Sequence, residues 1–154
     1  MNEGAWPPLP LADWKETYRT LHMWTQMVGK LQLALTPRTN HWWNVALHTT
    51  ARGLTTTPMA VGPDVFTVAF DFVDQVLRIE VSRGDRREIP LAPQPVAHFY
   101  ERLMANLRAL GIEARIWPMP VEVPTPSAST ATLRARTILI PRAAAGGSSS
   151  RRTR

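Results

Sequence analysis

His22, Gln26 and Lys30 follow one another at intervals of four residues. On a helix, such positions line one flank and drift slowly around the cylinder. Arg19 falls on the same flank. Asn40 and His41 come next, directly before the pair Trp42-Trp43 and Asn44, and Arg52 and Thr55 follow a few residues later. Gathered at one end of a helix-on-sheet layer, His22, Gln26, Lys30, Asn40, His41 and Arg52 would supply cations and amide donors with few carboxylates. That set suits an anionic small molecule, a phosphate or carboxylate, with the Trp42 ring as a stacking surface. The same residues could support acid–base catalysis, with His22 or His41 as general base and Lys30 or Arg52 stabilising a developing anion. A third use is structural: an exposed Trp42 face that meets another domain or subunit. The plain alternative for the polar line is a solvated helix face, and for His41 a structural hydrogen-bonding role.

Other chemistries find less support. The four histidines, His22, His41, His48 and His98, show no HxH, HxxxH or HExxH spacing, so no metal site is expected. There is no cysteine, which excludes disulfides and thiolate catalysis. No serine sits in a G-x-S-x-G context, and Gly29-Lys30 lacks the upstream glycines of a phosphate loop. Asp71 and Asp74 flank a turn between two strand-like runs and read first as turn residues. Nothing in the residues identifies a cofactor or an oligomeric state.

The elements that must position these groups are legible. After a Pro-rich lead-in, Asp13 reads as a helix N-cap with Glu16 completing a capping box. Trp14, Tyr18, Leu21, Trp24, Val28, Leu31 and Leu35 recur at helical spacing, which predicts a helix over about 13–35, stopped by Pro37. Strand-like alternation follows in 41–48, where Trp43, Val45 and Leu47 share one face and Trp42, Asn44, Ala46 and His48 the other. This places Trp43 in the core and Trp42 outward. Further strands are predicted at 53–57, 65–72 and 75–82, with a turn at Ser82-Arg83-Gly84-Asp85 and a short strand over Glu88 to Leu91. A second helix fits about 94–110, with Gly111 at its C′ position, and Ile112 to Trp117 reads as a last strand. The expected fold class is α+β: an antiparallel sheet of about four or five strands, two helices on one face, in the order α-β-β-β-β-α-β.

A chain of 154 residues with 44% hydrophobic side chains can bury one real core, and no apolar run is long enough to span a membrane. No secretion signal is visible, so a cytoplasmic protein is expected. The net charge of +6 is misleading as a sign of nucleic-acid binding. From residue 131 onward there are six arginines and no acidic residue, so residues 1–130 are formally neutral. Phosphate-driven nucleic-acid binding by the folded part is therefore poorly supported. One domain is expected over 1–124, followed by a disordered basic Ala/Ser/Arg-rich tail over 125–154.

Several motifs together resemble a family of bacterial proteins known only as a domain of unknown function. They are Thr20-Leu21-His22, Thr25-Gln26, Gly29-Lys30, Asn40-His41-Trp42-Trp43, Ala51-Arg52-Gly53-Leu54-Thr55-Thr56 and Arg115-Ile116-Trp117. The resemblance covers roughly residues 6–124 and implies no particular activity, cofactor or substrate. Members of that family are usually longer, continuing with acidic residues, another helix and further strands. Here every acidic residue is lost after Glu122, as an out-of-frame reading of a GC-rich gene or a truncation would produce. A native basic tail is the alternative.

Overall fold

In a computed structural model, residues 8–119 are described. Helix α1 spans Leu11–Leu35 and α2 spans Val96–Ala109. Between them lie six strands: β1 His48–Thr50, β2 Gly53–Thr55, β3 Met59–Val61, β4 Asp64–Asp71, β5 Val76–Val81 and β6 Arg86–Pro90. All pair antiparallel in the order β1-β2-β4-β5-β6, with β3 also on β4. The α+β class is as expected. The expected tail over 125–154, and the end of the expected 1–124 domain, lie outside the described residues.

Alternation in β4 and β5 decides which face is covered. Phe66, Val68 and Phe70 meet Val81, Ile79 and Leu77 in register, and all six are buried. Both helices lie over this face. Trp24 of α1 stacks on Phe99 of α2 with ring centroids 4.5 Å apart, and Val28, Leu31, Leu103 and Leu107 fill the layer around them. Each such fully buried side chain contributes about 1.5–3 kcal/mol.

The ends of both helices are set locally. α1 starts earlier than the capping-box reading places it. Pro10, with φ −59°, precedes the first turn, and Asp13 lies within that turn instead of capping it. Glu16 pairs with Arg19 at 3.2 Å and closes no box. α2 ends as Gly111 predicts: with φ +73°, Gly111 donates its N–H to Arg108 O and Ile112 donates to Leu107 O, both at 2.9 Å. This is the Schellman arrangement, and it packs Ile112 beside Leu107.

Two expected strands do not form. Residues 40–45 make 3-10 turns, with β1 beginning only at His48. Residues 112–117 pair with no strand among the described residues, yet Ile112 is buried and Ala114 and Ile116 pack on the core. Alternation there reported burial, not hydrogen bonding. Two strands were not expected: β1, which shares only His48 with the 41–48 run, and β3, only three residues between Pro58 and Gly62-Pro63. β3 lies on the same side of β4 as β2, so the two are one strand interrupted at Thr56–Pro58.

Gln32 closes that interruption. Its side chain is fully buried. Its Nε2 donates to Val45 O at 3.0 Å and to Ala46 O at 3.2 Å, while Oε1 accepts from Thr57 N at 2.9 Å and Thr57 Oγ1 at 3.0 Å. Thr56 bridges to Val68 with both its N–H and its hydroxyl. One amide thus ties α1, the 40–45 turn and the broken β2–β3 strand together. Gln32→Leu is expected to lower stability by about 2 kcal/mol in urea denaturation, because it strands several buried polar groups at once.

Among the described residues, no helix is long and apolar enough to cross a membrane.

Candidate functional site

The flank of α1 is longer than the polar line predicted from sequence. Trp14 meets Tyr18 edge-on with centroids 5.5 Å apart, Tyr18 stacks on His22 at 6.2 Å, and Gln26 Nε2 lies 2.9 Å from His22 Nε2. Lys30 continues the same i, i+4 ridge. Tyr18, expected in the apolar stripe, is 49% exposed, while Trp14, His22, Gln26 and Lys30 are half-buried, so Tyr18 belongs to this flank and not to the core. Lys30 Nζ donates to the backbone carbonyls of Trp117, at 3.0 Å, and Met119. Burial lowers the Lys30 pKa. The chain beyond α2 is therefore fastened to α1 at Lys30.

The turn after α1 carries the two tryptophans. His41 (φ 50°, ψ 30°) and Trp42 (φ 63°, ψ 28°) are consecutive left-handed residues. For side chains with a Cβ this costs roughly 1–2 kcal/mol per residue. The left-handed pair breaks strand alternation, and both rings turn outward. Trp42 is 46% exposed and Trp43 is 70% exposed, so the assignment of Trp43 to the core is overturned. The buried residue of the motif is Asn44. It donates to Thr36 Oγ1 at 3.0 Å and accepts from Thr39 N at 3.4 Å. Asn44 and Gln32 hold the turn; the tryptophans are what it displays. The turn lies against α1 at Gly29, where an added Cβ would sit 3.6 Å from Val45 O, one residue from Lys30.

Arg38 flanks this display. The Arg38 guanidinium carbon sits 4.1 Å from the Trp42 ring centroid, a cation–π contact. Among the described residues neither Arg38 nor Lys30 has a carboxylate partner within 4.0 Å. The reason is in the sequence: no aspartate or glutamate stands between Glu16 and Asp64. That gap, and Arg38 within it, are the signals that sequence reasoning passed over. His41 and Asn40 are exposed at the start of the turn.

Arg52 is committed elsewhere. It bonds Asp71 at 2.6 Å and Asp74 at 2.7 Å, at the end of the sheet where β4 turns into β5. Asp71 is 2% exposed and fully engaged: Arg52 and Arg78 share its Oδ2, and the N–H groups of Val73 and Asp74 reach its Oδ1. Burial pushes its pKa up, but the hydrogen bonds from Arg52, Asp74 N and Val73 N outweigh that and hold it at about 2. This cluster has the chemistry of a structural clamp.

The structure thus holds Lys30 at the chain beyond α2, pairs His22 with Gln26, and draws Arg52 into the Asp71 clamp. Among the described residues, no three His, Asp or Glu side chains come close enough to hold a metal ion. A shallow groove of about 220 Å³ between Pro58 and β4–β5 contains one titratable side chain, Glu80. Around Trp42 the structure places the Arg38 guanidinium, the exposed Trp43 ring and the exposed Asn40, within a stretch of sequence that has no carboxylate.

No curated protein and no solved structure matches the chain. A family model does, over residues 6–137, beyond the boundary near 124 where the composition shifts: the chain belongs to a family of unknown function, DUF5996.

Proposed function

We propose that the chain is a binding module for an anionic ligand, centred on the turn that displays Trp42 and Trp43. The observation that carries this reading is the left-handed pair His41–Trp42. Backbone strain of this kind persists where the surrounding structure over-determines it, and it concentrates at ligand sites. Here Asn44 and Gln32 do the over-determining. The products are two outward rings with Arg38 and His41 as positive or donor groups beside them, and with Lys30, which also holds the chain beyond α2, as a further candidate on α1.

Binding fits better than catalysis. His22, the first candidate base, is partnered by the Gln26 amide. An amide orients an imidazole but does not stabilise the imidazolium as a carboxylate does. The catalytic reading requires turnover that disappears in His41→Ala. The interaction-module reading has its own support, since Leu33, Trp43, Trp117 and Met119 all expose apolar surface.

The test is a tryptophan-fluorescence and thermal-shift screen against phosphate- and carboxylate-bearing metabolites. Trp42→Ala and Lys30→Ala are each expected to weaken binding about tenfold, with the fold intact, from the loss of a stacking face or a charged hydrogen bond. Binding that survives both substitutions would put the site elsewhere.

A further inference from the structure

The two edges of the sheet are not alike. The β6 edge is guarded in the usual way, by exposed Arg86, Arg87 and Glu88 and by Pro90, which has no N–H to offer. The β1 edge is unguarded. His48, Thr49 and Thr50 are exposed on both faces and include no proline, lysine, arginine or acid. Among the described residues β1 pairs with β2 alone, so alternate backbone N–H and C=O groups of β1 point away from the β2 side. In the chain, β1 begins three residues after the turn that displays Trp42 and Trp43. The Arg38 cation, two exposed rings and an open edge therefore follow one another closely in the chain, within a stretch, 17–63, that has no acidic residue.

We propose that the β1 edge and the Trp42–Trp43 turn form a docking surface for an extended, acidic segment of a partner protein, which adds to the sheet as a further strand. Main-chain hydrogen bonds to β1 supply the pairing, and the rings and the Arg38 cation select side chains. The segment is acidic because Arg38 on this surface lacks a carboxylate partner among the described residues. A peptide is favoured over a nucleic acid on two grounds. An open strand edge matches a peptide backbone, and residues 1–130 carry no charge excess to attract a phosphate backbone. This inference rests on the anion-binding reading above, the anion being a side-chain carboxylate.

The experiment is selection of random 12-residue peptides on the immobilised full chain, followed by anisotropy titrations of the enriched peptides. Enriched peptides are expected to combine Asp or Glu with β-branched or aromatic residues. Arg38→Glu is expected to weaken them at least tenfold, and replacing the peptide's acids by lysines is expected to restore binding to that variant. N-methylating alternate peptide amides is expected to abolish binding; this needs no change to the protein. Thr49→Pro should act likewise, its fold checked by circular dichroism. Enrichment without acids, indifference to N-methylation, or binding of a twelve-residue oligothymidylate in place of peptides would overturn the proposal. So would binding unchanged by Arg38→Glu, which would belong to the arginines beyond residue 131. If metabolites bind at Trp42 and no peptide does, docking falls and the anion-binding reading stands; if neither binds, both fall.

Discussion

Gly53→Ala is expected to lower stability by about 4 kcal/mol, most of the total for a chain at the low end, about 5 kcal/mol, of ordinary stability. At Gly53 the backbone of β2 runs so close to β4 that an added Cβ would lie 2.0 Å from Phe70 O and 3.0 Å from a Phe72 ring carbon. The first of these is a clash with backbone, which no rotamer change relieves. Phe70 is itself fully buried and paired with Leu54 and Leu77, so β4 cannot retreat without unpacking the core. Gly111→Ala is the matched control. Gly111 also has positive φ, at +73°, but nothing lies within 4 Å of its added Cβ. It is expected to cost about 1 kcal/mol, the conformational part alone. Urea denaturation of the two variants separates close approach from conformation; equal costs would show that the β2–β4 contact is not what requires glycine at 53.

This pair also shows what was legible in advance. Gly111 could be assigned from sequence, because a helix end is a local event with its own residue signature. Gly53 could not, because its constraint comes from Phe70, distant in the chain. The same division runs through the rest of the molecule. The helices and β4–β5 follow from local periodicity, and they hold. The 41–48 alternation failed because it recorded apolar residues without the backbone. Two left-handed residues inside it reversed which rings face out, and Asn44, not Trp43, became the buried anchor. Gln32, whose partners lie 13 to 25 residues away, carried no local signal at all. The candidate site was legible in part. His41 and Trp42 share the turn after α1 because they are neighbours in the chain, whereas Lys30 on α1 is bonded to the chain beyond α2. Arg52 was grouped with them by sequence proximity alone, and its partner Asp71 is brought to it by the pairing of β2 with β4.

That partnership predicts the acid response of the fold. Asp71 is held at about 2 against an ordinary 3.8, so its carboxylate stabilises the folded state. The sign follows from linkage: a depressed folded pKa gives stability that is complete above the unfolded value and is lost as pH falls through the folded one. The loss should therefore fall between about pH 4 and pH 2, and should amount to about 2 kcal/mol. Asp71→Asn keeps the shape and can still accept the N–H groups of Val73 and Asp74. Its amide NH2, however, faces Arg52 and Arg78, donor against donor. Arg78 retains Glu88 at 3.0 Å and Asp74 at 3.2 Å, and Arg52 retains Asp74, so the clamp is weakened and not emptied. At pH 7 the substitution is expected to cost about 3 kcal/mol, as removal of one partner from a buried ion pair does. Between pH 4 and 2 the variant should show a much flatter decline than the parent. The residual slope comes from Asp64, which Arg83 and Ser82 also hold below its usual range. Guanidinium titrations at pH 7, 4, 3 and 2 measure both effects. A variant that is destabilised at pH 7 yet keeps the parent's full acid slope would locate the acid-sensitive group away from Asp71.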